Sequence, residues 1–304
     1  MSYKIYTHSD LIKHQLSENH PESPERLIIL NELFNTNPFN RYLASVERKA
    51  SKESILAAHT ETYISLLEES VPDAGYMPIG HEAILNPFSL DAALMASGIM
   101  LEAVDNIKNG DADRIFCALR PPGHHAESHR GMGFCLLNHV FIAAQYARKA
   151  GFKKIALLDF DVHHGNGTDE MMKRYKPDNM MFFSTHEFPL YPGTGGPGTS
   201  IEGCVENICL PKNSGSEEMR ESYKNNIFPA LQSFSPDLVL ISAGFDAHSD
   251  DPLATLRWTE ADYKWLGENL CQFKSIACLE GGYQLNALKS SVNAFLEGFF
   301  NIQP

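Results

Sequence analysis

Six runs of the chain are almost continuously apolar and rich in β-branched or aromatic residues: 4–6, 115–119, 155–161, 180–185, 238–243 and 276–279. A strand with one face in water alternates polar and apolar positions, whereas a strand covered on both faces does not, so these runs predict buried parallel strands. Longer stretches of helical periodicity lie between them, at 90–108, 140–150, 217–234, 259–273 and 287–299. Gly110 and Gly151 follow the first two, where a glycine commonly ends a helix. Pro229 falls inside the third, and Thr259 opens the fourth as an N-cap with Glu260 and Asp262 in its first turn. Connections this long are crossovers, so the pattern predicts an α/β fold around a parallel sheet. No Pro-, Gly- or Ser-rich linker interrupts it, which predicts one domain over residues 1–304.

Open parallel sheets bind ligands beyond the carboxyl ends of their strands. Five predicted strands are followed by chemistry-bearing residues there. R-P-P-G-H-H-A ends in His124, His125 and Ala126, and D-F-D-V-H-H-G-N-G carries Asp159, Asp161, His163, His164 and Asn166. Ser184, Thr185 and His186 follow the fourth run, S-A-G-F-D ends in Asp246, and E-G-G-Y ends in Tyr283. Asp161 and His163, two apart on an extended run, leave on the same face and can share a cation. Asp246 from another strand end completes one imidazole and two carboxylates with a position open for water, the stoichiometry of catalytic zinc. Without a cysteine ligand the set also accepts iron(II) or cobalt. Alone, Asp246 would read as a turn residue, but two acids and two histidines desolvated together after a buried strand require a counter-charge. The adjacent His124 and His125 can divide the taking and giving of a proton, and Tyr283 after two glycines can offer its O–H to a carbonyl.

Composition narrows the partners. Thirty-eight acidic residues against 25 basic give a net charge of −13 and leave no basic footprint for nucleic acid, so direct nucleic-acid binding is excluded and a cationic partner is favoured. No apolar run reaches membrane-spanning length, the first thirty residues do not resemble a signal peptide, and the six cysteines form no C-x-x-C pair. Together these predict a cytoplasmic protein without a membrane partner. G-T-G-G-P-G satisfies the dinucleotide fingerprint at Gly193, Gly195 and Gly198, but Pro197 lies inside it and no strand precedes it, so it reads as a turn walling a cleft.

Seven motifs in this order resemble the zinc-dependent histone deacetylase superfamily, which includes acetoin-utilisation proteins and acetylpolyamine amidohydrolases. They are H-P-E-S-P-E-R-L (His20 to Leu27), R-P-P-G-H-H-A, G-M-G-F-C (Gly131 to Cys135), D-F-D-V-H-H-G-N-G-T, Y-P-G-T-G (Tyr191 to Gly195), S-A-G-F-D and L-E-G-G-Y. The resemblance implies a single arginase/deacetylase-like domain with an eight-stranded parallel sheet flanked by helices. It implies one zinc ion per chain on Asp161, His163 and Asp246, His125 as general base and acid, His124 as its electrostatic partner, and Tyr283 as the group polarising the substrate carbonyl. Asp159 corresponds to the acid behind His124 and Asn166 to the residue behind His125, a class II feature. Since asparagine adds no charge, His125 should hold its proton less firmly than an aspartate-backed histidine.

The resemblance also implies a substrate tunnel walled by Phe134, Gly133 and Tyr191, with His20 and Leu253 at its rim. A potassium ion would sit near the zinc on Ser184 and the main chain of Asp159, Asp161, His163 and Thr185. The implied reaction is hydrolysis of an acyl amide: His125 takes a proton from water, Tyr283 holds the developing oxyanion, and a carboxylate and an amine are released. Leu253 stands where polyamine-selective relatives carry a glutamate. The expected substrate is therefore an acyl-lysine peptide or protein, with an acetylpolyamine or other small acetylated amine as the alternative. A di-manganese ureohydrolase would need additional carboxylates where His164, Gly165 and Asn166 stand, and a non-catalytic acyl-lysine binder would have no use for Tyr283 and both histidines.

Overall fold

A computed structural model describes residues 2–302. Its ten strands are β1 (Tyr3–Tyr6), β2 (Leu43–Ala44), β3 (Met77–Gly80), β4 (Ala83–Leu85), β5 (Arg114–Cys117), β6 (Ile155–Asp159), β7 (Met180–Glu187), β8 (Val205–Leu210), β9 (Leu238–Ala243) and β10 (Ser275–Leu279). Eight form one sheet in the order β2-β1-β5-β10-β9-β6-β7-β8, with every pair parallel, and β3 and β4 form a separate hairpin. Every residue of β5, β6, β9 and β10 is buried, so helices and loops cover both faces of the sheet centre.

All six predicted strands are present. The two sheet strands absent from the apolar pattern, β2 and β8, are its two edges. β2 has only two residues, and four of the six residues of β8 are half-buried, because an edge lacks the cover that makes a strand continuously apolar.

The helices are α1 (Glu25–Phe34), α2 (Lys52–Leu56), α3 (Glu61–Glu69), α4 (Ser89–Asn109), α5 (His139–Lys149), α6 (Asn166–Tyr175), α7 (Ser216–Ser222), α8 (Phe228–Phe234), α9 (Glu260–Leu270) and α10 (Leu285–Phe299). Gly110 closes α4 with φ 80°, and Thr259 caps α9 with Asp262 bonding back to it, as read from the sequence. The stretch predicted as one helix at 217–234 contains α7 and α8 joined by a single wide turn at Tyr223–Ile227. Pro229 has no N–H to give to the preceding turn, and the Phe228 N–H bonds to Tyr223 O, five residues back. α6 escapes the sequence reading because its middle is polar, with Met171 and Met172 as its only buried large apolar residues.

The register explains why the strand ends converge. Tyr6, Cys117, Cys278, Ser242, Asp159 and Ser184 are linked as successive Cα partners across six strands, so the loops that follow leave from one line along the sheet. Phe34 of α1 and Phe295 of α10 meet Phe116 of β5 beneath that line, and α4 packs against α5. Among the described residues no helix is long and apolar enough to cross a membrane.

Candidate metal centre

Asp161, His163 and Asp246 each present a ligand atom within 4.8 Å of the other two, and all three residues are buried. The extended strand expected to carry Asp161 and His163 stops short of both, since β6 ends at Asp159. Two consecutive side-chain turns place them: Asp159 Oδ1 accepts from the Asp161 N–H at 3.0 Å, and Asp161 Oδ1 accepts from the His163 N–H at 2.9 Å. The Val162 N–H holds Asp246 Oδ1 at 3.0 Å and the Gly281 N–H holds Asp161 Oδ2 at 2.7 Å. Asp161 Oδ1 also faces His163 Nδ1 at 3.0 Å, and the second Asp246 oxygen, Oδ2, faces it at 3.1 Å. A Cβ on Gly281 would stand 2.0 Å from Asp246 Oδ2, and one on Gly244 would stand 2.2 Å from Asp161 Oδ2, so both motif glycines are required by ligand packing.

The donor set fits a cation. Burial alone would push His163 down, but Asp161 and Asp246 raise it to about 10. Two buried carboxylates facing one imidazole nitrogen draw positive charge to that point, which a divalent ion would supply.

Beside this centre the two adjacent histidines are driven apart. His124 Nδ1 lies 2.9 Å from Asp159 Oδ2, and although burial opposes it, the Asp159 and Asp161 carboxylates raise His124 well above the usual imidazole range. Burial lifts Asp159 to about 6 against the opposing pull of His124. His125 Nδ1 lies 2.7 Å from Asn166 Oδ1, and burial, then His124 and His163, hold His125 well below the usual range. The two adjacent rings are thus shifted in opposite directions, the separation that lets neighbouring groups differ as acid and base. The Gly123 and His124 N–H groups donate to the buried Glu280 carboxyl at 2.6 and 3.1 Å, which fixes the histidine loop to the end of β10.

A cavity of about 400 Å³ leads to these groups. All five predicted wall residues, His20, Gly133, Phe134, Tyr191 and Leu253, line it, together with His125, His163 and Tyr283. Phe134 is held at φ 69° because the tip of the β3–β4 hairpin grips its loop: the Gly133 and Phe134 N–H groups donate to His81 O and Glu82 O at 3.0 and 3.1 Å. Glu82 and Ile84 thereby join the wall. The His20 ring meets Phe134 edge-on at 4.7 Å, and Tyr191 meets His125 edge-on at 5.2 Å. The glycine-rich segment after Tyr191 is a turn, with Gly193, Gly195 and Gly198 at positive φ.

Several supporting residues were not assigned roles from the sequence. Arg26, wholly buried, donates to the carbonyls of Gly282 and Glu280 and lies 5.1 Å from the centre of the Tyr283 ring. Glu22 pairs with both Arg26 and Arg120, and Arg120 together with His14 holds its carboxyl well below the usual range against the penalty of burial. Asp251 accepts the Tyr283 N–H at 2.7 Å and the Leu253 N–H at 3.0 Å, tying the loop of the rim residue to that of the tyrosine. The available signal was charge inside apolar motifs: Glu22 and Arg26 are four apart in H-P-E-S-P-E-R-L, and Glu280 follows the apolar β10. Of the predicted potassium residues, Ser184 neighbours Asp159 in the sheet and its hydroxyl lies 2.9 Å from His186 Nδ1, while the Thr185 hydroxyl is bonded to Tyr223.

Comparison with known proteins agrees with this geometry. The model of the histone deacetylase domain family matches residues 20–299. A probable deacetylase of Archaeoglobus fulgidus is 37% identical over 295 residues, covering 92% of this chain and 81% of that protein. The chloroplastic histone deacetylase 14 of Arabidopsis thaliana is 36% identical over 318 residues, covering 95% of this chain and 74% of that protein. Among solved structures, the HD domain of HDA15 superposes with a TM-score of 0.91 at 30% identity, covering 99% of this chain and 88% of that one.

Proposed function

Because the chain belongs to the histone deacetylase family, we propose that it is a zinc-dependent deacetylase acting on the acylated ε-amine of lysine in a peptide or protein. One observation carries the reading: the Asp161, His163 and Asp246 cluster adjoins a cavity of about 400 Å³ that Phe134 and Tyr191 line together with His125 and Tyr283. Aromatic walls bury an alkyl chain by apolar contact and keep bulk water from the reacting amide. Asp161, His163 and Asp246 would hold the zinc, which supplies Lewis acidity toward the carbonyl and toward water.

The remaining chemistry belongs to the chain. Neutral His125 takes the proton of the attacking water, because its environment keeps it unprotonated and Asn166 fixes its ring. Tyr283 donates its O–H to the oxygen that becomes negative, with Arg26 and Asp251 holding its loop. Cationic His124 stands beside His125 at a ring distance of 4.0 Å and disfavours a long-lived second positive charge there. The proton taken by His125 is thereby released to the departing amine. Ser184 and the carbonyls around Asp159 would hold potassium.

A fluorogenic acetyl-lysine peptide, assayed with the zinc-loaded protein and after chelation, tests this reading. Turnover abolished by chelator and restored by zinc is expected. Parallel arms with longer acyl groups and with acetylpolyamines assign the substrate, and turnover of acetylpolyamines alone would replace the lysine assignment.

A further inference from the structure

The asparagine behind His125 carries no charge, yet its amide is not free to turn. Asn166 Oδ1 faces His125 Nδ1 at 2.7 Å, while Asn166 Nδ2 donates to Glu127 Oε1 at 2.9 Å. An ionised carboxylate accepts hydrogen bonds and cannot donate them, so only one of the two amide orientations is satisfied. With Nδ2 directed to Glu127, the oxygen must face the imidazole. A ring nitrogen opposite a carbonyl oxygen must itself carry hydrogen, which leaves the other nitrogen with its lone pair.

Glu127 is well placed to act in this way. It is nine-tenths buried, and Arg130 donates to both of its carboxylate oxygens, Nε to Oε2 at 2.8 Å and Nη2 to Oε1 at 3.0 Å. Its main chain is fixed as well: the Glu127 N–H donates to Arg130 O at 3.0 Å, and His59 Nδ1 lies 3.1 Å from Glu127 O. Burial holds His59 down to about 3, so that ring is neutral, and it accepts the Asn138 N–H at its other nitrogen.

We propose that Glu127 is a positioning residue for His125: by fixing the Asn166 amide it selects the Nδ1–H tautomer and keeps Nε2 open to receive the proton of water. The proposal rests on the reading of His125 as general base. Asn166 Nδ2 also reaches His125 O at 3.4 Å and Met132 Sδ at 3.3 Å, weaker acceptors than the carboxylate; an amide held by these alone turns over more readily, and turned over it would leave His125 with its hydrogen on Nε2 and nothing with which to accept a proton. Glu127 thus supplies the directionality that asparagine lacks.

Long-range proton–nitrogen spectra of histidine-labelled, zinc-loaded protein read the tautomer directly, with His125→Ala assigning the signal. The wild-type protein should show His125 protonated at Nδ1, and an Nε2–H form would overturn the proposal. Glu127→Gln keeps an acceptor for the amide and should hold both the tautomer and kcat within about threefold. Glu127→Leu should mix the tautomers and lower kcat by roughly tenfold or more, with KM within about twofold. Equal losses in the two variants would make charge, not orientation, the contribution and refute the proposal, as would a leucine variant with wild-type tautomer and kcat. Undiminished turnover in His125→Ala would instead remove the base assignment, a separate failure.

Discussion

At the level of single residues, the site depends on groups whose roles differ although their side chains are alike. His124 and His125 are neighbours, yet Asp159 and Asp161 raise the first against its burial while burial, His124 and His163 lower the second, with Asp159 behind one ring and Asn166 behind the other. That difference was readable, because both partners stand in the D-F-D-V-H-H-G-N-G motif. The geometry of the candidate ligands was only partly readable: the three residues named from the sequence do meet, but the turns that orient Asp161 and His163 were mistaken for strand, since apolar Phe160 and Val162 prolong the pattern past the end of β6. Tyr283→Phe removes a hydrogen-bond donor to the oxyanion without touching a ligand. Zinc stoichiometry should stay at wild type while kcat falls by about a hundredfold to a thousandfold, measured side by side on one preparation. Gly281→Ala should do the reverse at the outset, weakening zinc binding by at least about tenfold in a chelator competition, because its methyl group would occupy the space of the Asp246 carboxylate.

Among the elements, the most consequential arrangement is the buried ion cluster that joins the start of α1 to the loops after β5 and β10. Glu22 serves Arg26 and Arg120 together, and Arg26 in turn holds the carbonyls on either side of Gly281. Glu22→Leu would leave two guanidiniums buried without their carboxylate, and denaturant unfolding should show a loss of about 3–5 kcal/mol. The same group sets an acid limit. Its folded pKa is depressed below the ordinary value of 4.5, so the unfolded chain binds its proton first as pH falls. The stabilisation is complete above that value and declines below it, by about 1.4 kcal/mol for each further pH unit. Melting temperatures measured downward from neutrality should therefore stay level with respect to this group and then drop through the acid range, less steeply in Glu22→Gln. None of this cluster was assigned from the sequence, because a contact between residues 26 and 282 leaves no local trace. Central strands and long helices were legible for the opposite reason: continuous burial or a full helical stripe imposes a pattern that a two-residue edge strand cannot carry.

For the whole molecule, the net charge of −13 attracts cations at long range. Raising ionic strength from about 0.05 to 0.5 M shortens the screening length from above 10 Å to below it, so KM for an acetyl-lysine peptide flanked by lysines should rise several-fold with kcat nearly unchanged. A flanking-glutamate peptide should show the opposite salt dependence. The sheet order carries a different consequence. β10, the last strand in the chain, lies at the centre and is bonded to β5 on one side and β9 on the other. The adjacent His124 and His125 follow β5, whereas the three candidate ligands follow β6 and β9. Removing residues 275–279 would leave two half-sheets, β2-β1-β5 and β9-β6-β7-β8, with no strand pairing between them. The paired histidines and the candidate ligands would then lose their common frame, so any activity that needs both should fail together with the sheet.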